Sequence, residues 1–148
     1  MKLIAHRGNL AGPDKNNENT LSTINKVLEL GYDIELDVRL VDGIWYLGHD
    51  NPDYQFDPDF LKDNRIWTHC KNYQALNQLI TEPKINCFWH QEDDYTITSK
   101  GYIWAYPGKI SGSNSICVMP EWNSMQVPKD VYGICSDYVG NEELFSVL

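Results

Sequence analysis

A chain of 148 residues with a net charge of −9 is one domain with room for a real core, and its acidity excludes a generic nucleic-acid or anionic-membrane binder. Hydrophobic and aromatic contents of 42% and 12% exclude a disordered segment, and the longest apolar runs are strand-sized, too short for a transmembrane helix. Residues 1–5 are too short for the apolar core of a signal peptide. The expectation is a single domain over residues 1–148, cytoplasmic and without stable membrane association. Cys70, Cys87, Cys117 and Cys135 lack C-x-x-C spacing and fall in strand-like runs. They read as buried reduced thiols rather than disulfides or a zinc site.

Residues 2–5 form a short apolar strand that ends at His6-Arg7-Gly8, and a polar loop rich in Gly, Pro, Asp and Asn follows. Asn19 or Thr20 caps a helix whose apolar stripe is Leu21, Ile24, Val27, Leu28 and Leu30, with Gly31 as its stop. Asp33-Ile34-Glu35-Leu36-Asp37-Val38 then alternates at period two. That predicts a buried strand with the aliphatics on one face and Glu35 and Asp37 on the other. Strand, helix and strand in this order predict a parallel pair with a right-handed crossover.

Asp42-Gly43 is a turn, residues 44–47 lead to Gly48-His49-Asp50, and residues 51–64 form a long ordered surface loop. Residues 65–70 make the next strand, followed by a short helix with Leu76, Leu79 and Ile80 inward. Residues 85–89 make a further strand ending at His90-Gln91-Glu92-Asp93-Asp94. Helical periodicity then vanishes. Residues 95–98, 102–105, 116–119 and 131–135 are strand-like, separated by Gly, Pro, Ser and Asn, and a short helix is expected over 141–148. About eight strands can line a sheet, with helices only in the first half.

Glu35 and Asp37 set the chemistry. Two ionised carboxylates side by side repel, and burying them without a counter-charge is expensive. A divalent metal with oxygen ligands meets that need, as does pairing with Arg7 and Lys71. His90 with Glu92, Asp93 and Asp94 reads as a polar rim loop rather than a second metal site. Trp89, Trp104, Tyr106 and Trp122 read as core or rim aromatics.

His6-Arg7-Gly8, Glu18-Asn19-Thr20, Glu35-Leu36-Asp37 and His49-Asp50 occur in that order at short intervals. Together they resemble the glycerophosphodiester phosphodiesterase family, within the barrel phosphodiesterases related to phosphatidylinositol-specific phospholipases C. Residues 133–138 also resemble that family's last-strand pattern. The resemblance implies an α/β fold of the (β/α)8 TIM-barrel type. An ordinary barrel needs about 250 residues, so a reduced one is expected, with helices mainly in the first half and several missing in the second.

The resemblance further implies metal-assisted hydrolysis of a small phosphodiester such as a glycerophosphodiester. His6 would be the general base and His49 the general acid, Glu35 and Asp37 the metal ligands, and Arg7 and Lys71 the phosphate grip. Glu18, Asn19 and Asp50 would support them. The implied cofactor is one divalent ion: Mg, Ca or Mn. Where the family has a third ligand Glu, this chain has His69, on the same strand face as Lys71, so an imidazole can take the carboxylate's place and favour a softer metal such as Mn or Zn. The same histidine pair serves a lyase that makes a cyclic phosphate. A chain this short also fits a phosphate- and metal-binding descendant without turnover. Strands that lack covering helices leave room for a homo-oligomer.

Overall fold

The computed structural model describes residues 1–124, 126–141 and 143–146. In chain order they form β1 (Lys2–His6), α1 (Leu21–Glu29), β2 (Asp33–Val41), β3 (Ile44–Leu47), β4 (Tyr54–Gln55), β5 (Ile66–Cys70) and α2 (Tyr73–Leu79). There follow β6 (Asn86–Phe88), β7 (Tyr95–Ile97), β8 (Ile103–Ala105), β9 (Ser115–Val118), β10 (Gly133–Ser136) and α3 (Glu143–Ser146). Two 3-10 turns cover Pro58–Lys62 and Pro120–Asn123. Of the helix expected over 141–148, Glu143–Ser146 is helical, and residues 142, 147 and 148 lie outside the described residues.

The strands form one sheet. β6, β5, β2, β1, β10, β9 and β8 run parallel in that spatial order, so the first strand sits between β2 and β10. β3 folds back antiparallel on the far half of β2 and carries β4, and β7 is antiparallel to β8.

This corrects the expected (β/α)8 TIM-type barrel. The described residues are mostly β, a curled ten-stranded sheet with three short helices. Connection length is the physical reason. Asp42-Gly43 joins β2 to β3, and residues 98–102 join β7 to β8. Links this short return antiparallel, whereas a parallel crossover needs a dozen or more residues. The stretch 106–114, between β8 and β9, carries Gly, Pro, Ser and Asn instead of a helical stripe, so no helix covers that step.

The curl follows from which side chains meet. Trp104 on β8 lies 6.0 Å from Trp67 on β5 and 4.5 Å from Phe88 on β6, ring centre to ring centre. Strands so far apart in the sheet touch only if the sheet wraps round. Ile4, Ile116, Val118 and Cys135 complete this inner cluster. Ser99 laces the seam between β6 and the β7 end: its backbone N–H donates to the Cys87 carbonyl at 2.8 Å, and its hydroxyl oxygen accepts from the Cys87 N–H at 3.0 Å.

The outer face of the first half is a second core, in which Ile34, Leu36 and Val38 of β2 pack with Ile24 and Val27 of α1 and Ala75 and Leu79 of α2. Burying each of these larger aliphatics contributes about 1.5–3 kcal/mol. Thr20 caps α1 by accepting the Thr23 N–H, and Asn72 caps α2 the same way at Ala75. Asn72 also exchanges hydrogen bonds with the Leu40 backbone, which ties the helix start to β2. The stripes are narrower than expected, since Leu21, Leu30 and Ile80 are exposed. All four cysteines are free and buried. Among the described residues, no helix is long and apolar enough to cross a membrane.

Candidate functional site

Register builds the site. His6 pairs with Glu35 across β1 and β2, and Asp37 pairs with His69 across β2 and β5. In-register neighbours on parallel strands point to the same side. All four therefore emerge on the concave face, towards the carboxyl ends of the parallel strands, where open parallel sheets bind ligands.

Glu35 is 1% exposed and Asp37 0%. His69 brings its Nδ1 to 3.4 Å from Glu35 Oε1 and 3.3 Å from Asp37 Oδ1. One ligand atom from each of the three residues lies within 4.8 Å of the others. The opposite ring nitrogen, Nε2, lies 2.8 Å from the His90 carbonyl, which can only accept, so Nε2 carries a proton. In the neutral ring that leaves the Nδ1 lone pair facing the two carboxylates, which is how a backbone carbonyl fixes the tautomer of a ligating histidine.

Asp37 Oδ1 is buried and makes no hydrogen bond of ordinary geometry, its contact with His69 Nδ1 being 3.3 Å, and an acceptor held this way has capacity for a cation. The other oxygen, Oδ2, is occupied by the Asn19 side-chain amide at 3.1 Å and Arg7 Nε at 3.3 Å. The donor set, two carboxylates and one imidazole, fits a divalent ion of the Mn or Zn type.

The electrostatics point the same way. Burial opposes charge on His69, but Asp37 and Glu35 outweigh it and raise its pKa to about 9. Burial likewise opposes the Asp37 anion, and the close polar contact with His69 and the charges of His69 and Arg7 pull its pKa below the usual carboxylate range. A proton on His69 thus does in part what a metal would do better.

His6 is held the other way round. Its Nδ1 donates to Asp137 Oδ1 at 2.8 Å, which leaves Nε2 as the ring's free nitrogen. Burial disfavours the imidazolium, but Asp137 and Glu35 more than compensate, so the His6 pKa is raised. Asn9 bridges the supporting carboxylates, donating to Asp137 at 2.8 Å and to Glu18 at 3.0 Å. Arg7 takes a left-handed backbone (φ 53), its N–H donating to Glu35 Oε2 at 3.1 Å while its guanidinium reaches Glu18 at 3.3 Å. A non-glycine residue held there stores strain of the kind found at functional sites.

His6, Arg7, Glu18, Glu35 and His69 line one cleft of about 430 Å³. His49, Asp50 and Asn19 line an adjoining cavity of about 240 Å³. Arg7, Lys15 and Glu18 are common to both walls. His49 Nδ1 donates to Asp50 at 2.7 Å, in the exposed counterpart of the His6–Asp137 pair. Lys71 lines neither cavity, although its charge acts on both Asp50 and His90.

Sequence reasoning did not single out Asp137 or Asn9. Asp137 lies 131 positions from His6, and its only signal was the family-like pattern of residues 133–138. In the loop read as a polar rim, the His90 ring Nε2 donates to the Asp93 carbonyl, and the His90 carbonyl serves His69. No family model, curated protein or solved structure matches this chain.

Proposed function

We propose that the chain is a metal-dependent hydrolase of small phosphodiesters, similar in chemistry to the glycerophosphodiester phosphodiesterases. One observation carries the reading: Glu35 and His69 of the Glu35–Asp37–His69 cluster line the same cleft as a histidine whose far nitrogen is backed by a carboxylate. Glu35, Asp37 and His69 would hold one divalent ion. Bound there, it would lend positive charge to the phosphate oxygens.

The chain's own residues supply the rest. His6 Nε2 takes a proton from water as the water oxygen bonds to phosphorus, and Asp137 stabilises the imidazolium that results. The P–O bond to one alcohol breaks, and His49 protonates the departing oxygen. Arg7 stands in the wall between the two histidines' cavities, where its charge offsets the phosphate. Glu18 and Asp37 orient it.

Calorimetric titration with Mn²⁺, followed by turnover of a chromogenic phosphodiester, tests this. Wild type should bind one ion per chain and turn over. Glu35→Gln should lose both while keeping its circular-dichroism spectrum. Tight binding of metal and inorganic phosphate with no turnover of any diester would replace the enzyme reading with that of a binding protein.

A further inference from the structure

The cleft has two chemically distinct walls. His6, Arg7, Glu35 and His69 make its lining ionic in one part, and Trp104, Tyr106, Val118, Met119 and Trp122 supply an aromatic and aliphatic part, with His90 against the Tyr106 ring. Trp122 is 64% exposed, an unusual setting for a ring that loses free energy in water. It rides on the 3-10 turn Pro120–Asn123, bracketed by two left-handed non-glycine residues, Met119 (φ 47) and Ser124 (φ 62). Strain of this kind persists only where surrounding contacts over-determine it.

Such contacts hold this turn. Glu121, the neighbour of Trp122, turns inward. Its Oε1 accepts from the Ser136 hydroxyl at 2.9 Å and from the Asp137 N–H at 3.0 Å. The turn that presents Trp122 is therefore bolted to the residue that orients His6.

We propose that this wall seats an uncharged aryl substituent of the phosphodiester, and that Trp122 determines that specificity. The proposal rests on the phosphodiesterase reading and narrows its substrate class. A cleft of about 430 Å³ holds a phosphate with a ring attached. The carboxylate of this turn offers little to a cationic substituent: Glu121 Oε1 accepts from Ser136 and Asp137, and Oε2 is buried away from solvent. A glycerol-like substituent gains less from this part of the lining, since the surfaces of Trp104, Val118, Met119 and Trp122 give its hydroxyls mainly aliphatic and aromatic neighbours.

The test measures binding by calorimetry with saturating Mn²⁺, comparing phenyl phosphate with methyl phosphate. Wild type should prefer the phenyl ester by about tenfold, the scale of one aromatic contact plus the area it buries. Trp122→Ala should lose most of that preference with methyl phosphate affinity unchanged, and Trp122→Phe should keep it. The exposure of Trp122 keeps both variants folded, which circular dichroism checks. Equal affinity for the two esters in wild type, or a preference that survives Trp122→Ala, overturns the proposal and leaves the phosphodiesterase reading intact. Failure of both phosphates to bind with metal present overturns the proposal, and absence of chromogenic diester turnover as well overturns the phosphodiesterase reading.

Discussion

The two halves of the sheet are built to different rules. The half containing β1, β2 and β5 is braced from outside by α1 and α2, and its concave face carries the buried carboxylates and His69. The half containing β7 to β10 has loops and the short α3 outside it, with Cys117, Val127, Val131, Ile134 and Phe145 as a smaller core. It leaves Tyr95 and Ile97 in solvent. Rigid parallel register fixes the groups that must be placed within fractions of an ångström, and loops shape the wall that only has to be complementary.

The sharpest way to break that comparison is to remove the base. His6→Asn should cut turnover of an unactivated diester by about 10²–10⁴-fold while leaving Mn²⁺ affinity near wild type, because His6 is outside the ligand cluster. His49→Asn should lose less on a substrate with an activated leaving group, which needs little protonation. If both variants keep wild-type rates, the ionic wall is not catalytic.

Stability should divide along the same line. Leu36→Ala, under the helices, should cost about 2–5 kcal/mol in urea unfolding. Ile97→Ala, at a residue 69% exposed, should fall within about 0.5 kcal/mol. A comparable loss at Ile97 would mean that its face is covered in solution, and sedimentation would show the second copy.

Proton linkage sharpens the comparison further. Metal must displace the proton from His69, so Mn²⁺ affinity should fall by up to about tenfold per pH unit as pH drops below about 9. Metal-free protein should show the opposite sign. The His69 pKa is raised on folding, so its stabilisation is complete below about 6.5 and is lost as pH rises through about 9. Titration at several pH values, with and without metal, reads both slopes.

The smallest effect belongs to Asp137. It raises the His6 pKa, so the acid limb of the rate profile should lie above 6.5, and Asp137→Asn should move it down. An unmoved limb would detach Asp137 from His6.

Much of the first half was legible in the sequence. Period-two alternation across residues 33–38 predicted both faces of β2, because one face is aliphatic and the other acidic, and Asp42-Gly43 predicted a turn, though not that the strand after it returns antiparallel on β2. The loss of helical periodicity after Ile80 was equally visible. The strands beyond it were expected to continue a barrel, but the short link over residues 98–102 reverses strand direction, and local pattern does not say which neighbour a reversed strand joins. The carboxylate behind His6 was illegible for a related reason. Nothing in the sequence around His6 announces a partner on β10's end. The separation of His49 into its own cavity likewise depends on how β3 folds back on β2.

The position of β1 has a consequence for how the molecule comes into being. Its registered neighbour on one side is β10, with Lys2 opposite Gly133. As the chain emerges from the ribosome, that edge of β1 waits unpaired until some 130 residues have followed (131 from His6 to Asp137). Contacts of such long sequence separation make folding slow and leave an open strand edge exposed to pairing with other chains. The proposed base acquires its supporting carboxylate in the same late event, so assembly of the sheet and maturation of the site coincide.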